Sequence, residues 1–400
     1  MNSQGVHERE ASMASLRSLI IFVAIFALIL GVTHFYLYAR IAYYLQPDPF
    51  QSAALAWGFV GVTLLVVVAL PLSHLLPRRP ASLISWMTYP WMGLSLLLLT
   101  GFLAADLMWL TLNIVGAVTG SAPSSGLQND FGLAALSLVG ALSLYALWNG
   151  MRPAYVRSFD VTLKKLPPSL DGLRLVQITD LHVGPMLGGA WLRRVVDQVN
   201  ALEADIIAVT GDLVDGAVSE LSTHVAPLGD LKATHGAYFV TGNHEYYSGV
   251  DAWCDHIQSL DVRVLRNERV TLSVDGHALD IAGVDDWSSA HFPGKGHDLG
   301  AALEGRDNEK PLILLAHQPL AMHEAMEKGV DLQLSGHTHG GQIWPFSYLV
   351  RLQQPVVEGF FTYLDGDFQL YVSPGTGYWG PPMRLGTRAE ITHITLRAAT

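Results

Sequence analysis

Five short blocks rich in Asp, His and Asn follow one another in the C-terminal half of the chain: Asp180-Leu181-His182, Gly211-Asp212-Leu213-Val214-Asp215, Gly242-Asn243-His244-Glu245, the single His317, and Gly336-His337-Thr338-His339. Their side chains are nitrogen and oxygen donors, a ligand set for two divalent metals, and that donor chemistry suits Mn, Fe or Zn. Asp180 and His182 stand two apart, so on an extended chain they share a face and can grip one ion. Asp212 can bridge two cations through its two oxygens, with Gly211 permitting a close turn. Asn243 offers a neutral carbonyl oxygen that adds no negative charge. His337 and His339 are again expected on one face, and Gly336, Gly340 and Gly341 suit a tight loop crossing near the site. Taken singly, an Asp at a strand end usually caps a helix and a His beside an apolar run is usually a satisfied polar group. The ordered combination carries the reading.

The elements that must position these blocks are β-like apolar runs. Leu173-Arg174-Leu175-Val176-Gln177-Ile178-Thr179 precedes the first block and Pro311-Leu312-Ile313-Leu314-Leu315-Ala316 precedes His317. Loops at the carboxyl ends of strands are where α/β folds build sites. Further strands are expected over 205–210, 236–241, 262–265, 278–284, 331–335, 368–373 and 390–396, with helices over 191–199, 252–260 and 321–328. This pattern predicts a layered α/β domain, and the β-rich tail points to two packed sheets rather than one doubly wound sheet.

The 400-residue chain changes character near residue 150. Residues 1–150 hold five basic and five acidic side chains, so the whole net charge of −11 falls on the C-terminal half. An acidic catalytic half argues against long nucleic acid as substrate. The single cysteine, Cys254, excludes an intramolecular disulfide and a thiolate metal cage, and reads as a packing residue. Four apolar stretches, 18–38, 54–76, 91–115 and 131–151, are each long enough to cross a hydrocarbon layer of ~30 Å as a helix. The third is the least sharply bounded, because the apolar region is long and contains Asp106; one tilted span plus an interfacial turn is the alternative. Arg9 and Arg17, Arg78 and Arg79, and Arg152, Arg157, Lys164 and Lys165 then fall on one side and Arg40 on the other. By the positive-inside rule both termini and the catalytic half are expected in the cytoplasm, with the chain a multi-pass protein of the cell inner membrane. The expected organisation is a transmembrane domain over 1–151, a linker over 152–172 and a catalytic domain over 173–400.

The five blocks resemble the calcineurin-like metallophosphoesterase superfamily, whose pattern reads D-x-H, G-D-x-x-D, G-N-H-[DE], H and G-H-x-H. The tail Ser373-Pro374-Gly375-Thr376-Gly377-Tyr378-Trp379-Gly380-Pro381-Pro382-Met383-Arg384 resembles its membrane-associated bacterial branch. The resemblance implies an N-terminal all-α transmembrane part followed by an α/β metallophosphoesterase domain of two packed mixed sheets flanked by helices. It also implies that Asp180, His182, Asp212 and His339 hold one metal, that Asp212, Asn243, His317 and His337 hold the other, and that His244 is the general acid oriented by Asp215. Two such cations clamp the phosphoryl oxygens and activate a water for in-line attack, and an imidazolium protonates the departing alkoxide.

One departure bears on substrate. Protein phosphatases of the superfamily continue the second block with Arg-Gly, whereas Asp215 is followed by Gly216-Ala217, which disfavours a phosphoprotein substrate. Arg384 is an alternative phosphate contact, with packing as the plainer reading. Trp287 and Trp379 are rim candidates set against ordinary core packing, and Asp285 and Asp286 are expected as loop carboxylates. The resulting expectation is a membrane-anchored binuclear-metal phosphodiesterase acting on a lipid-linked or other membrane-proximal phosphoester. Its rivals are a nucleotide or cyclic-nucleotide phosphoesterase merely anchored by its spans, a non-catalytic scaffold, and a transporter or sensor built on Asp106.

Overall fold

The computed structural model describes residues 3–399 other than 74, 122, 293 and 295, and the side chains of Arg9 and Arg17 lie outside the described set. The chain divides into two compact units, Met1–Leu144 and Tyr145–Thr400.

Among the described residues of the first unit are helices long and apolar enough to cross a membrane: Val23–Leu45, Pro49–Ser73, Arg78–Thr119, and Gly126–Met151, whose last turns belong to the second unit. The second starts sharply because Asp48 accepts from the Gln51 N–H while the Gln51 side chain accepts from the Asp48 N–H, with Pro49 in the first turn. Leu28, Phe35, Trp57 and Leu107 are exposed on these helices, a surface that water would not tolerate and hydrocarbon would. The third stretch is one continuous helix of 42 residues with Pro90 inside it, so it runs on where an interfacial turn was the alternative. Asp106 accepts from the Tyr36 hydroxyl at 2.7 Å and pairs with Arg40 at 2.6 Å, within the helix bundle. An intramembrane carboxylate neutralised in this way takes the ordinary bundle-interior role.

The second unit is an α/β domain with two mixed six-stranded sheets. In the first sheet β2 (Arg174–Ile178), β3 (Ile206–Thr210), β4 (Ala237–Val240) and β5 (Val262–Val264) run parallel. At its edge β12 (Glu390–Ala398) lies antiparallel to β2, and β1 (Tyr155–Leu163) lies parallel to β12. In the second sheet β7 (His277–Gly283), β8 (Leu312–Leu315), β9 (Leu332–Ser335) and β11 (Phe368–Val372) run parallel. Antiparallel β6 (Glu268–Val274) and β10 (Gly359–Tyr363) close its two edges. Residues 152–172, expected as a linker, instead contribute strand β1, because Val161 and Leu163 insert into the core between the sheets.

Strand pleating explains the two-sided burial. Along β3, Ile206 and Ala208 face the core shared by the two sheets, while Ile207 and Val209 face the helix-covered core with Leu192, Val195 and Val199 of helix Gly189–Asn200. The second sheet buries Leu312 and Leu314 against Met322 and Ala325 of helix Met322–Glu327. Each fully buried Ile, Leu or Val contributes roughly 1.5–3 kcal/mol relative to an exposed one. The parallel strands of both sheets end on the same side, and their carboxyl ends carry the five blocks.

Candidate metal centre

Asp180 and His182 follow β2, Asp212 and Asp215 follow β3, Asn243 and His244 follow β4, His317 follows β8, and His337 and His339 follow β9. The two sheets are tied beneath them: the Gln177 amide donates to Thr210 Oγ1 at 2.7 Å and to the Ser335 carbonyl at 3.0 Å. Asp180, His182, Asp212, His337 and His339 all have φ between 45° and 71°, the left-handed region that non-glycine residues rarely adopt. The expected pleated geometry of Asp180 and His182 is therefore replaced by tight left-handed turns that aim both side chains inward. Strain of this kind clusters at functional sites. Gly211, at φ 88°, is required by the same crowding, since a Cβ there would lie 2.7 Å from the Gly242 nitrogen and from His317 Nδ1.

The side chains form three overlapping groups whose donor atoms lie within 4.8 Å of one another: Asp180 with His182 and His339, His182 with Asp212 and His244, and Asp212 with His317 and His337. His337 and His339, expected on one face, thus serve different groups. Asp212 belongs to two of the three. The His317 Nδ1–H donates to the Thr210 carbonyl at 2.8 Å, and its Nε2 faces Asp212 Oδ2 at 3.1 Å; burial lowers the His317 pKa, but the Asp212 carboxylate holds it well above its ordinary value. His182 Nδ1 lies 2.9 Å from Asp215 Oδ1, which turns its Nε2 toward His339 Nε2 at 3.0 Å. Asp180 is held by the His337 N–H at 3.0 Å. Asp215 also reaches His244, whose Nδ1 lies 2.7 Å from the same Oδ1.

Burial and charge set the protonation of these groups. Burial raises the Asp180 carboxyl. Burial would also raise Asp215, but the facing His182 and His244 outweigh it and hold that carboxyl below its usual range. Burial, followed by the charge of His317, pushes His337 down to about 3, and burial, followed by the charge of His182, drives His339 well below its ordinary value. Both are neutral imidazoles fit to ligate. His244 goes the other way: burial lowers its pKa, but Asp212 and Asp215 together raise it to about 9.

The residues fit a pair of divalent ions. Asn243 Oδ1 is buried without a hydrogen-bond partner, an expensive arrangement unless a ligand satisfies it. Two imidazole nitrogens facing each other at 3.0 Å beside Asp180 and Asp212 make sense as donors converging on a cation.

Comparison with known proteins agrees with this geometry. The Calcineurin-like phosphoesterase family profile matches residues 173–341. A "Transmembrane protein with metallophosphoesterase domain" of Bos taurus is 45% identical over 276 residues, covering 66% of this chain and 62% of that protein. Its Danio rerio counterpart is 40% identical over 273 residues, again 62% of that protein, so the chain spans less than two thirds of either relative. An "Uncharacterized metallophosphoesterase" of Aquifex aeolicus is 34% identical over 244 residues, which are 60% of this chain and 91% of that protein. The chain belongs to the calcineurin-like metallophosphoesterase family.

Within the metallophosphoesterase domain the structure upholds the plainer reading of Arg384, Asp285, Asp286 and Cys254 and revises that of Trp287 and Trp379. Arg384 is fully buried, and its guanidinium donates to the carbonyls of His339, Pro374, Gly375 and Gly377. It clamps loops around the site and is buried away from a substrate phosphate. Trp287 and Trp379 are 42% and 52% exposed, so neither packs in the core, and the Trp379 ring lies 6.2 Å from His244. Asp285 is paired with Arg266 and Asp286 accepts from the Gln318 amide, both as loop carboxylates. Cys254 is buried, as a packing residue should be.

The residue that sequence reasoning passed over is Glu245. Its fully buried carboxylate accepts from the N–H groups of Asp212 at 3.1 Å, Leu213 at 2.8 Å and Gly242 at 2.6 Å, holding two ligand loops together. The available signal was an acid at the third position of a helix that starts at Asn243. Glu245→Ala leaves three buried backbone donors without an acceptor and is expected to cost roughly 3–6 kcal/mol of stability. Denaturant titration of the full chain in detergent checks this, and a loss under ~1 kcal/mol would show that the carboxylate does not hold the loops.

Proposed function

We propose that this protein is a membrane-anchored, two-metal phosphohydrolase, a phosphodiesterase acting on a lipid-linked or other membrane-proximal phosphoester. The observation that carries this reading is the convergence of Asp180, His182, Asp212, His244, His317, His337 and His339 at the carboxyl ends of two sheets, with Asn243 at the start of the helix that follows β4. Asp180, His182, Asp212 and His339 would hold one ion, and Asp212, Asn243, His317 and His337 the other. When bound, two divalent cations, Mn, Fe or Zn, supply Lewis acidity for the phosphoryl oxygens and an activated water.

The chain's own groups do the rest. His244 is the general acid: as the P–O ester bond breaks, its Nε2 proton passes to the leaving oxygen. Asp215 fixes the tautomer, since its carboxylate receives the Nδ1–H and leaves Nε2 to face the reacting bond. The same carboxylate orients His182, so one residue links the acid to the ligand set. The basic residues flanking the spans support placing this domain on the cytoplasmic side of the inner membrane.

The test uses purified full-length protein. Dialysis against a chelator is expected to lower diester turnover at least ~100-fold, with Mn restoring it. Lipid-linked diesters should be turned over faster than water-soluble nucleotide or cyclic-nucleotide diesters. Equal rates would favour the merely anchored enzyme, and absence of bound metal with no turnover would favour the scaffold.

A further inference from the structure

Directly after the last metal block the chain surfaces as an apolar, aromatic segment. Trp344 is 50% exposed, Phe346 41%, Tyr348 60%, Leu349 56% and Leu352 80%, clustered on and around the short helix Ser347–Val350. A water-facing loop of an acidic domain is not expected to expose five large apolar side chains together. Between Gly336 and Val357 there is no carboxylate and one cation, Arg351. Trp and Tyr beside aliphatic residues, with a single Arg, form the composition that settles at the headgroup level of a bilayer.

The segment is wired to the site. The Gln342 N–H donates to the His339 carbonyl at 3.0 Å, and the Trp344 N–H donates to the Leu385 carbonyl at 2.8 Å. The Gln342 amide also donates to the carbonyls of Trp379 at 2.9 Å and Pro381 at 3.0 Å, so exposed Trp379 beside His244 belongs to the same rigid surface. Beneath it a cavity of about 410 Å3, walled by Trp344, Val357, Phe361 and Leu385 and lined also by Arg351 and Glu358, opens beside Gly340, the neighbour of His339.

We propose that residues 344–352 are a bilayer-seating surface: they insert into the lipid interface and bring lipid phosphoesters to the adjoining metal site. The occupant is a lipid surface, because the same chain already carries apolar spans and because residues 344–352 are aromatic and aliphatic with Arg351 as their single charged side chain. The delivery of lipid rests on the phosphohydrolase reading above; the insertion does not.

The full chain, with Leu352→Cys in a Cys254→Ser background, is labelled with an environment-sensitive fluorophore and placed in nanodiscs of phosphatidylcholine and phosphatidylglycerol. Doxyl-labelled lipid is expected to quench the label at least ~2-fold while iodide quenches it far less than a label at Glu304→Cys. Iodide quenching equal to that of the control overturns the proposal. So does protection from both quenchers with cross-linking between copies, which would make the face a contact with a second chain. Leu349→Asp with Leu352→Asp should lower turnover of a lipid diester about 10-fold and leave bis(p-nitrophenyl) phosphate turnover unchanged. Lipid quenching without turnover of any phosphoester would uphold the seating and remove the reaction; turnover with an iodide-exposed label would do the reverse.

Discussion

Replacing His244 by Ala is expected to lower kcat about 10²–10⁴-fold for a diester whose leaving group is an unactivated alkoxide, with the bound metals retained. The contrast lies in the leaving group. An alkoxide needs a proton as the P–O bond breaks, whereas p-nitrophenolate leaves without one, so the same variant should lose far less on bis(p-nitrophenyl) phosphate. The structure supports the sign of the pH effect. The carboxylates of Asp212 and Asp215 raise the His244 pKa to about 9 against the opposing effect of burial, so the acid form prevails below that value. Two cations held at the site would lower it, so the alkaline limb of the alkoxide-diester profile is expected at or below about 9. His244→Ala should abolish that limb. Equal losses on both leaving groups would show that His244 acts on substrate or metal binding instead.

Asp212→Asn is expected to reduce the bound metal from two ions to one or none and to lower turnover at least ~10³-fold, about 4 kcal/mol in the barrier. Asp212 Oδ2 lies 3.1 Å from His317 Nε2 and 3.9 Å from both His182 Nε2 and His244 Nε2, and Oδ1 accepts the His244 N–H at 2.9 Å. The amide keeps the shape but removes the charge from the place where both donor groups meet. Metal analysis alongside turnover separates loss of an ion from loss of fold. Two retained ions with turnover within tenfold of the parent would remove Asp212 from the bridging position.

The inner parallel strands were legible because they are buried on both faces and bounded by turn residues, as in Ile206–Thr210 and Leu312–Leu315. The edge strands were not. Glu268–Val274 and Gly359–Tyr363 carry mixed, half-exposed side chains, and Tyr155–Leu163 follows a stretch that reads as a connector. Their pairing depends on partners such as β12, whose Ile394 stands opposite Phe159 from the far end of the chain. Trp287 and Trp379 face outward for a related reason: aromatic type alone does not set which way a loop turns them.

Residue type and order along the chain already fix donor chemistry and neighbourhood: the types of the five blocks, their position after apolar strands, and the apolar stretches that make the N-terminal part membrane-compatible. These are local properties, readable from residue type and period. Long-range packing is what sets Asp215 between His182 and His244, 33 and 29 residues away in sequence, parts His337 and His339 to different groups, and makes Arg384 a clamp on loops. Those outcomes depend on left-handed turns and on where two sheets bring their carboxyl ends together. Contacts between distant loops, and not local propensity, hold both in place.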